Sequence, residues 1–549
     1  MTHAKNAPTA AAAIELLEEI RHLMELKGEN VFKVRAFEKA QASLADVTDL
    51  PERAKAGTLT ALPGIGKGIS EVLTEFLLHG TSKVRDELQA SLPAGLTELT
   101  AVPGLGPKKA MQLIEELGIS SLSELEYACK ENRLLKLKGF GEKVQHKILE
   151  GLAFKKAVSG RQRLADAFEI AESLLPLLIE TCGPQTRVSE SGALRRRMET
   201  LSELDFVIED GGPTLQARVE RAVKDFIAQH GAGLPIRFHY APPSRFGYEL
   251  ALKTSTPEHW EALGSPGPFD ARTEEDFFGR LKIAFIPPET RETGEEVRLA
   301  RSGELAGILP WDGVRGVFHN HTTRSDGSAT LEQMVVAAKK LGYEYIGISD
   351  HSQSAFYAQG LKQPELLDQE REVRELQDRY PEIRIFWGIE SDILADGSLD
   401  YDAAVLKKFD FVIASVHSRF QMGREAMTDR LLHAIRNPAT RFLGHATGRL
   451  LLGRAGYEVD MERVIVEAAR HDVAIEINAN PARLDIDWRW GPQLRASHTQ
   501  VSVNPDAHEI AGLEDTRFGI AMARKALLPA SLVVNSRSAD EVAKWLRRA

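Results

Sequence analysis

The sequence predicts a multidomain chain in which an all-α N-terminal region leads into a small α+β domain and then into a parallel barrel of alternating strands and helices. Three observations predict it. From Ala11 to about Leu152 apolar residues recur at helical spacing, interrupted by three Gly-x-Gly turns. Around Thr186 to Asp210 the pattern changes, and Leu204 to Ile208 reads as a strand that follows a basic turn at Arg195 to Arg197. Beyond Trp311 short apolar strands alternate with helices to the end of the chain.

Composition bounds the reading. A chain of 549 residues accommodates about three to five domains at roughly 100 to 200 residues each. Hydrophobic content of 43% beside 27% charged residues is globular, and no apolar run approaches the roughly 20 residues that cross a bilayer. The acidic Glu15, Glu18 and Glu19 directly after Ala10 to Ala13 are unlike the basic start and apolar core of a signal peptide, so the expectation is a cytoplasmic protein without membrane contact. Two cysteines, Cys129 and Cys182, build neither a disulfide framework nor a thiolate zinc site and read as core; a metal would have to sit on His and carboxylate. The net charge of −10 argues against a chain that coats nucleic acid by bulk charge, while leaving local phosphate contacts open.

In the helical region, the three turns are Leu62-Pro63-Gly64-Ile65-Gly66-Lys67, Val102-Pro103-Gly104-Leu105-Gly106-Pro107 and Leu137-Lys138-Gly139-Phe140-Gly141-Glu142, each opening an amphipathic helix. These are helix-hairpin-helix signals. Their glycines let the backbone approach a phosphate, and the following helix offers unpaired N–H groups to the anion. A helix-to-helix turn needs glycine anyway, but the Pro-Gly-x-Gly form followed by Lys67, or by Lys108 and Lys109, is more specific. The expected partner is DNA, held through a few phosphates without sequence reading and released by salt.

The stretch from Gly264 to Leu309, rich in Gly, Pro and alternating charge, reads as a weakly structured connection with one helix near Glu274 to Leu281. Strands then follow at Gly316 to Phe318, Tyr345 to Ile348, Ile383 to Trp387, Phe411 to Ser415, Phe442 to Leu443, Val473 to Ile477 and Gln500 to Val503. His319 and His321 come after the first, His351 after the second, Glu390 after the third, His417 and His445 after the next two, and Asp506 with His508 after the last. In parallel barrels the loops at the C-terminal strand ends converge on one mouth. A single histidine is ordinarily a hydrogen-bonded core or surface residue; six at strand ends, with carboxylates, predict a metal site. Mixed nitrogen and oxygen ligands suit Zn, Mn or Fe, and clustered divalent ions polarise a phosphoryl oxygen and activate water for phosphoester hydrolysis. Glu390 is the candidate bridging carboxylate. His433, His471 and His498 fall in helix or loop and are not assigned to the site.

These residues resemble the PHP (polymerase and histidinol phosphatase) domain in the motifs His319-Asn320-His321-Thr322, Ser349-Asp350-His351, Gly388-Ile389-Glu390, Ser415-Val416-His417, Gly444-His445 and Asp506-Ala507-His508. The resemblance implies a distorted (β/α)7 barrel holding two or three divalent metals, Mn, Zn or both. It places His319, His321, Glu390 and Asp506 on one ion, Glu390, His417 and His445 on the second, and Asp326, His351 and His508 on the third. The runs Thr447-Gly448-Arg449 and Asn478 to Asp485 look like the version fused to bacterial family X DNA polymerases, which would give Arg449 and Arg483 the scissile phosphate.

The first two hairpins resemble the lyase and fingers subdomains of DNA polymerase beta, with Val72 where the Schiff-base lysine would stand, so lyase chemistry through that residue is not expected. Ser191-Gly192-Ala193-Leu194-Arg195-Arg196, then Glu203-Leu204-Asp205, resembles the nucleotidyltransferase-like palm of family X. Gly192, Arg196, Glu203 and Asp205 would be its vestiges. Ala193 replaces the serine that binds triphosphate, Glu203 replaces the first aspartate, and Pro235 falls where the third is expected. Magnesium at the palm therefore lacks a full ligand set, and nucleotide binding is left open. Lys253-Thr254-Ser255-Thr256 stands for Thr-Gly-Ser, and after Phe285-Ile286-Pro287-Pro288 the thumb reads as truncated.

The implied domains are 1–88 (lyase-like), 89–158 (fingers), 159–262 (palm), 263–312 (truncated thumb or linker) and 313–549 (PHP). The implied function is a monomeric DNA-repair enzyme that trims 3′ ends of gapped, nicked or primer-template DNA as a Mn-stimulated 3′-5′ exonuclease, with polymerase activity weak or lost. The alternatives are an active gap-filling polymerase proofread by the barrel, a small-molecule phosphatase of the histidinol phosphate type, and a non-enzymatic repair scaffold.

Overall fold

A computed structural model describes residues 10–44, 47, 49–93, 95–130, 133–230 and 233–547. The chain forms two compact units, 1–159 and 160–549.

Among the described residues the first unit contains helices and no strand. Its apolar residues form two clusters, one running from Ala13 to Leu88 and one from Leu96 to Leu152 that also takes in Leu26. The three Gly-x-Gly turns share one backbone. Gly64, Gly104 and Gly139 lie at φ of 76°, 86° and 88°, where a side chain is disfavoured. The middle residues Ile65, Leu105 and Phe140 are buried, and each donates its N–H to the carbonyl three residues back, at 3.0 to 3.2 Å. Gly66, Gly106 and Gly141 then cap the helices Lys67–His79, Pro107–Leu117 and Glu142–Val158. Val72 is buried in the first cluster, an apolar core position.

The second unit begins with a three-stranded sheet: β1 (Val188–Ser191) runs antiparallel to β2 (Leu204–Glu209), which runs parallel to β3 (Ile236–Ala241). Helices Leu164–Cys182 and Pro213–His230 supply much of the core beside it.

Residues 264–309 are not the weak connection that their Gly and Pro content suggests. Helix Glu274–Arg280 is joined by helix Glu295–Ser302 and two short 3-10 turns. Phe277, Phe278 and Ile286 are buried in a cluster with Tyr248, and the Phe277 ring stacks on Trp260 and Phe269 at 5.6 and 5.5 Å. Aromatics scattered among turn residues escape a periodicity test yet bury large areas each.

The barrel has seven parallel strands in chain order: β4 (Gly316–Val317), β5 (Tyr345–Ile348), β6 (Arg384–Asp392), β7 (Phe411–Ser415), β8 (Thr440–Leu443), β9 (Ala474–Asn478) and β10 (Val501–Asn504). Phe318 N–H donating to Asn504 Oδ1 (3.0 Å) and a parallel bridge from Asn320 to Ala507 draw first and last strands together. Phe318, Tyr345, Phe386, Phe411 and Phe442 form one buried aromatic cluster with Trp545.

One apolar core runs through both the three-stranded sheet domain and the barrel, and Phe168 meets Phe518 edge-on at 6.2 Å. Ion pairs reinforce it. Lys525 meets Glu292 at 2.5 Å, Arg524 meets Glu289 at 2.5 Å and Arg495 meets Glu295 at 2.6 Å. Buried Glu199 accepts from Arg489 (2.6 Å) and from the Trp488 indole (3.1 Å). Burial alone would raise the Glu199 carboxyl, but the charge and hydrogen bond of Arg489 pull it down to about 2. A depressed carboxyl contributes stability above its unfolded pKa and loses it as pH falls through the folded one. Between pH ~4.5 and ~2 this contact is therefore expected to lose on the order of 3 kcal/mol. Acid unfolding followed by far-ultraviolet circular dichroism checks this: Glu199→Gln should flatten that part of the profile, and an unchanged profile would refute the assignment.

Candidate metal centre

The barrel brings all the strand-end residues to one mouth. His319 and His321 follow β4 on an extended segment, so residues i and i+2 face the same way. That segment is fastened to the Asp506-Ala507-His508 turn, with His321 N–H donating to Ala507 O at 2.8 Å. Glu390 lies inside β6 rather than after it, because the strand continues through the polar but buried Ser391 and Asp392. His445 and Asp506 have positive φ, 25° and 52°. Non-glycine residues in that region carry roughly 1 to 3 kcal/mol of strain, a common feature where a turn must aim a functional side chain.

Glu390 is the hub. Its Oε1 lies 3.0 Å from His445 Nε2 and 3.3 Å from Nε2 of both His319 and His417. Its Oε2 lies 2.9 Å from His351 Nδ1 and 3.6 Å from His321 Nε2. Asp506 Oδ1 stands 3.2 Å from His321 Nε2 and 3.4 Å from His319 Nε2, while Asp326 reaches His351 and His508, each at 3.4 Å. Two ligand atoms held tetrahedrally at ~2.1 Å from one ion lie about 3.4 Å apart, so this spacing fits shared cations.

Three groupings have ligand atoms within 4.8 Å of one another: His321 with Asp326, His351 and His508; His319 with His321 and Asp506; and His351 with Glu390 and His417. His321 and His351 each join two groups, which the allotment drawn from the resemblance did not give them. The reason is that His321 turns Nδ1 toward Asp326 and Nε2 toward Glu390 and Asp506. His445 lies outside the three groups and meets the centre through Glu390.

The donor set fits bound cations. His319 Nε2, both ring nitrogens of His321 and Glu390 Oε2 are buried without a hydrogen bond among the described residues. Such atoms are costly unless something completes them. Burial pushes the Glu390 and Asp506 carboxyls up, yet the histidines beside them hold both well below the usual carboxylate range. Burial pushes the His351 imidazole down, yet Glu390 and Asp326 lift it to about 10. His321 falls to about 3, through burial and then the neighbouring His508 and His351, and is a neutral imidazole ready to ligate. The pocket demands positive charge at its centre.

A ring of carboxylates behind the ligands escaped the sequence reading. Glu476 accepts from His319 Nδ1 (2.7 Å), the His445 N–H (2.8 Å), Asn478 and Asn504. Asp392 accepts from His417 Nδ1 at 2.6 Å. Asp350 gathers Thr322, Ser325 and Gln369 around the loop that carries Asp326. Such partners fix the tautomer and aim of each imidazole. Asp392 was findable as the i+2 neighbour of Glu390 on one strand, and Glu476 as an acid within an apolar one.

Arg449 is not free to meet a phosphate: its guanidinium donates to Arg483 O (2.9 Å), Asp487 (2.5 Å) and Leu484 O. It braces the loop bearing Arg483, whose own Nε comes within 3.4 Å of Asp506. His433, His471 and His498 lie away from the cluster; His433 donates to Asp396 O and His471 pairs with Glu467.

At the palm-like sheet, Asp205 faces His239 Nε2 at 3.1 Å and Glu203 pairs with Arg237 at 2.6 Å. Pro235, which falls where the third aspartate is expected, directly precedes β3, and the residue of that strand that reaches Asp205 is His239. Gly192, at φ 59°, is required where it is, since a Cβ would come within 2.4 Å of the Asp205 carboxylate. Arg196 is committed to Glu292 (3.0 Å) and Thr254 O (3.1 Å), and Arg195 to Glu274. Lys67 and Lys108 are exposed after their turns, whereas Lys109 packs over the Phe140 ring at 5.7 Å.

Comparison with known proteins agrees with this layout. Profiles of a helix-hairpin-helix domain, a SAM-like helix-hairpin-helix tandem and the PHP domain match residues 8–82, 96–153 and 318–480. Probable phosphatases of Vibrio atlanticus and Caldanaerobacter subterraneus are 33% and 26% identical over 36% and 42% of this chain, covering 80% and 89% of their own lengths. The DNA polymerase/3′-5′ exonuclease PolX of Bacillus subtilis is 34% identical over 97% of this chain and 99% of its own. A likeness that runs through hairpins, palm-like sheet and barrel alike assigns one family, and the chain belongs to PolX, the bacterial family X DNA polymerases with a C-terminal PHP domain.

Proposed function

We propose that this chain is a DNA 3′-end-processing hydrolase in which the barrel does the chemistry, the helical hairpins hold the DNA, and template-directed synthesis is weak or lost. The observation that carries this reading is the contrast between its two sites. The barrel gathers six histidines and two further carboxylates, Asp326 and Asp506, around Glu390. The palm-like sheet sets its remaining carboxylates, Glu203 and Asp205, against Arg237 and His239, and Arg196 of the same motif against Glu292. Two-ion nucleotidyl transfer needs several carboxylates facing the 3′ hydroxyl and the triphosphate.

The proposed ligands are His319, His321, Asp326, His351, Glu390, His417, His445, Asp506 and His508, with Mn or Zn as the ions. Divalent cations held there supply Lewis acidity at the phosphoryl oxygens and favour attack by water. The chain's own residues do the rest. Glu476 and Asp392 hold the imidazoles in one tautomer, and Arg483 adds positive charge beside Asp506. In the hairpins, Gly66, Gly106 and Gly141 have ordinary φ values and open space where a Cβ would stand, so nothing among the described residues requires glycine there. Close approach of a DNA phosphate does. Gapped, nicked or primer-template DNA is the proposed substrate, in the cytoplasm, for a monomer.

Labelled primer-template incubated with Mn and nucleotides tests the reading, with free phosphate esters in parallel. Shortening of the primer is expected, with little extension. Extension that disappears in Asp205→Ala would instead establish an active polymerase. Turnover of free esters exceeding that of DNA would favour a phosphatase, the activity that the names of the shorter relatives carry.

A further inference from the structure

The loop after β5 leaves the sheet at His351 and returns where Leu361 N–H donates to His351 O at 2.8 Å. Its first part is pinned down. Ser354 donates its N–H to Asp400 (2.7 Å) and its hydroxyl to Asp392 (2.8 Å), and Ala355 is fully buried. Phe356 comes next and is 85% exposed, more than any other large hydrophobic among the described residues. The second oxygen of Asp392 holds His417, and two residues beyond His417 stands Arg419, exposed and without a carboxylate partner among the described residues. Phe356 and Arg419 thus each lie two residues beyond a side chain that binds the same carboxylate. Their strands, β5 and β7, flank β6, which carries Glu390. Six of the ligands are buried, whereas Asp326 is exposed and His417 and His508 are partly so; Phe356 and Arg419 are exposed residues of the loops that follow His351 and His417.

An exposed aromatic ring and an exposed cation on the two loops that flank the Glu390 strand are the groups that grip a nucleotide, the ring for the base and the cation for the backbone. We propose that Phe356 stacks on the base of the 3′-terminal nucleotide while Arg419 pairs with the phosphate on its 5′ side. The clamp rests on the DNA-end reading above and names residues that seat the substrate. Because Ser354 and His417 share Asp392, the clamp is tied to the ligand cluster.

The test uses the full chain with Mn and single strands ending either in a normal nucleotide or in a tetrahydrofuran abasic residue. For the normal end, Phe356→Ala is expected to raise KM by roughly 5- to 100-fold with kcat nearly unchanged. Phe356→Trp should restore it. For the abasic end, wild type and Phe356→Ala should coincide, and Arg419→Ala should raise KM for both ends and lower the salt dependence. Unchanged KM in Phe356→Ala, an equal rise on the abasic end, or a change of oligomeric state in its place overturns the clamp. A binding measurement separates the clamp from the reaction. A strand with a 3′-terminal 2-aminopurine behind a phosphorothioate should be quenched by wild type and not by Phe356→Ala. Cutting without quenching defeats the clamp alone; quenching without cutting of ordinary strands defeats the exonuclease reading alone.

Discussion

Glu390→Gln is expected to lower 3′-end hydrolysis on the order of 10³-fold, the scale of losing a central electrostatic element of a phosphoryl-transfer site. The amide keeps the shape but not the charge. Five histidines converge on that carboxylate at 2.9 to 3.6 Å, and both of its oxygens are used. The variant should also come off purification with less bound metal, read by elemental analysis, while its affinity for DNA through the hairpins stays close to wild type. Glu476→Gln provides the graded comparison. It removes an orienting partner rather than a ligand, so a loss of roughly 10- to 100-fold is expected. Equal activity of wild type and Glu390→Gln would remove the barrel from the reaction.

The largest effect on stability is expected at Glu292. Lys525 is completely buried, and its ammonium rests on Glu292 at 2.5 Å, which also receives Arg196. Glu292→Ala leaves two cations facing each other out of water, and about 3 to 5 kcal/mol should be lost, seen as a lower urea midpoint. Lys525→Met removes the buried charge and leaves Glu292 paired with Arg196, so its cost should be far smaller. A Glu292→Ala midpoint equal to wild type would mean that water reaches Lys525.

The barrel was legible because six of its seven short apolar strands carry or lead into a ligand, a coincidence of two periodic signals that local chemistry seldom produces. What stayed hidden was relational. Glu476 and Asp392 look like any acids in a strand until their imidazole partners are placed beside them. Arg449 and Arg483 are alike as letters, and only the carbonyls of the intervening loop separate a brace from a residue at the mouth. At β3 the parallel register sets Arg237 beside Asp205 and brings His239 to it, information that no count of spacing from Asp205 contains. The helices of 264–309 were hidden for a different reason, since their core is built from aromatics brought together across turns.

The continuous core between palm-like sheet and barrel bears on how the protein can change over time. Whatever chemistry the sheet retains, Phe168 on the helix beside it packs against Phe518, and Glu199 grips Trp488 and Arg489. A barrel severed near residue 313 would present its side of that core to water. Selection for a working barrel therefore also preserves the scaffold of the sheet domain, because one neighbour is built on the other's back.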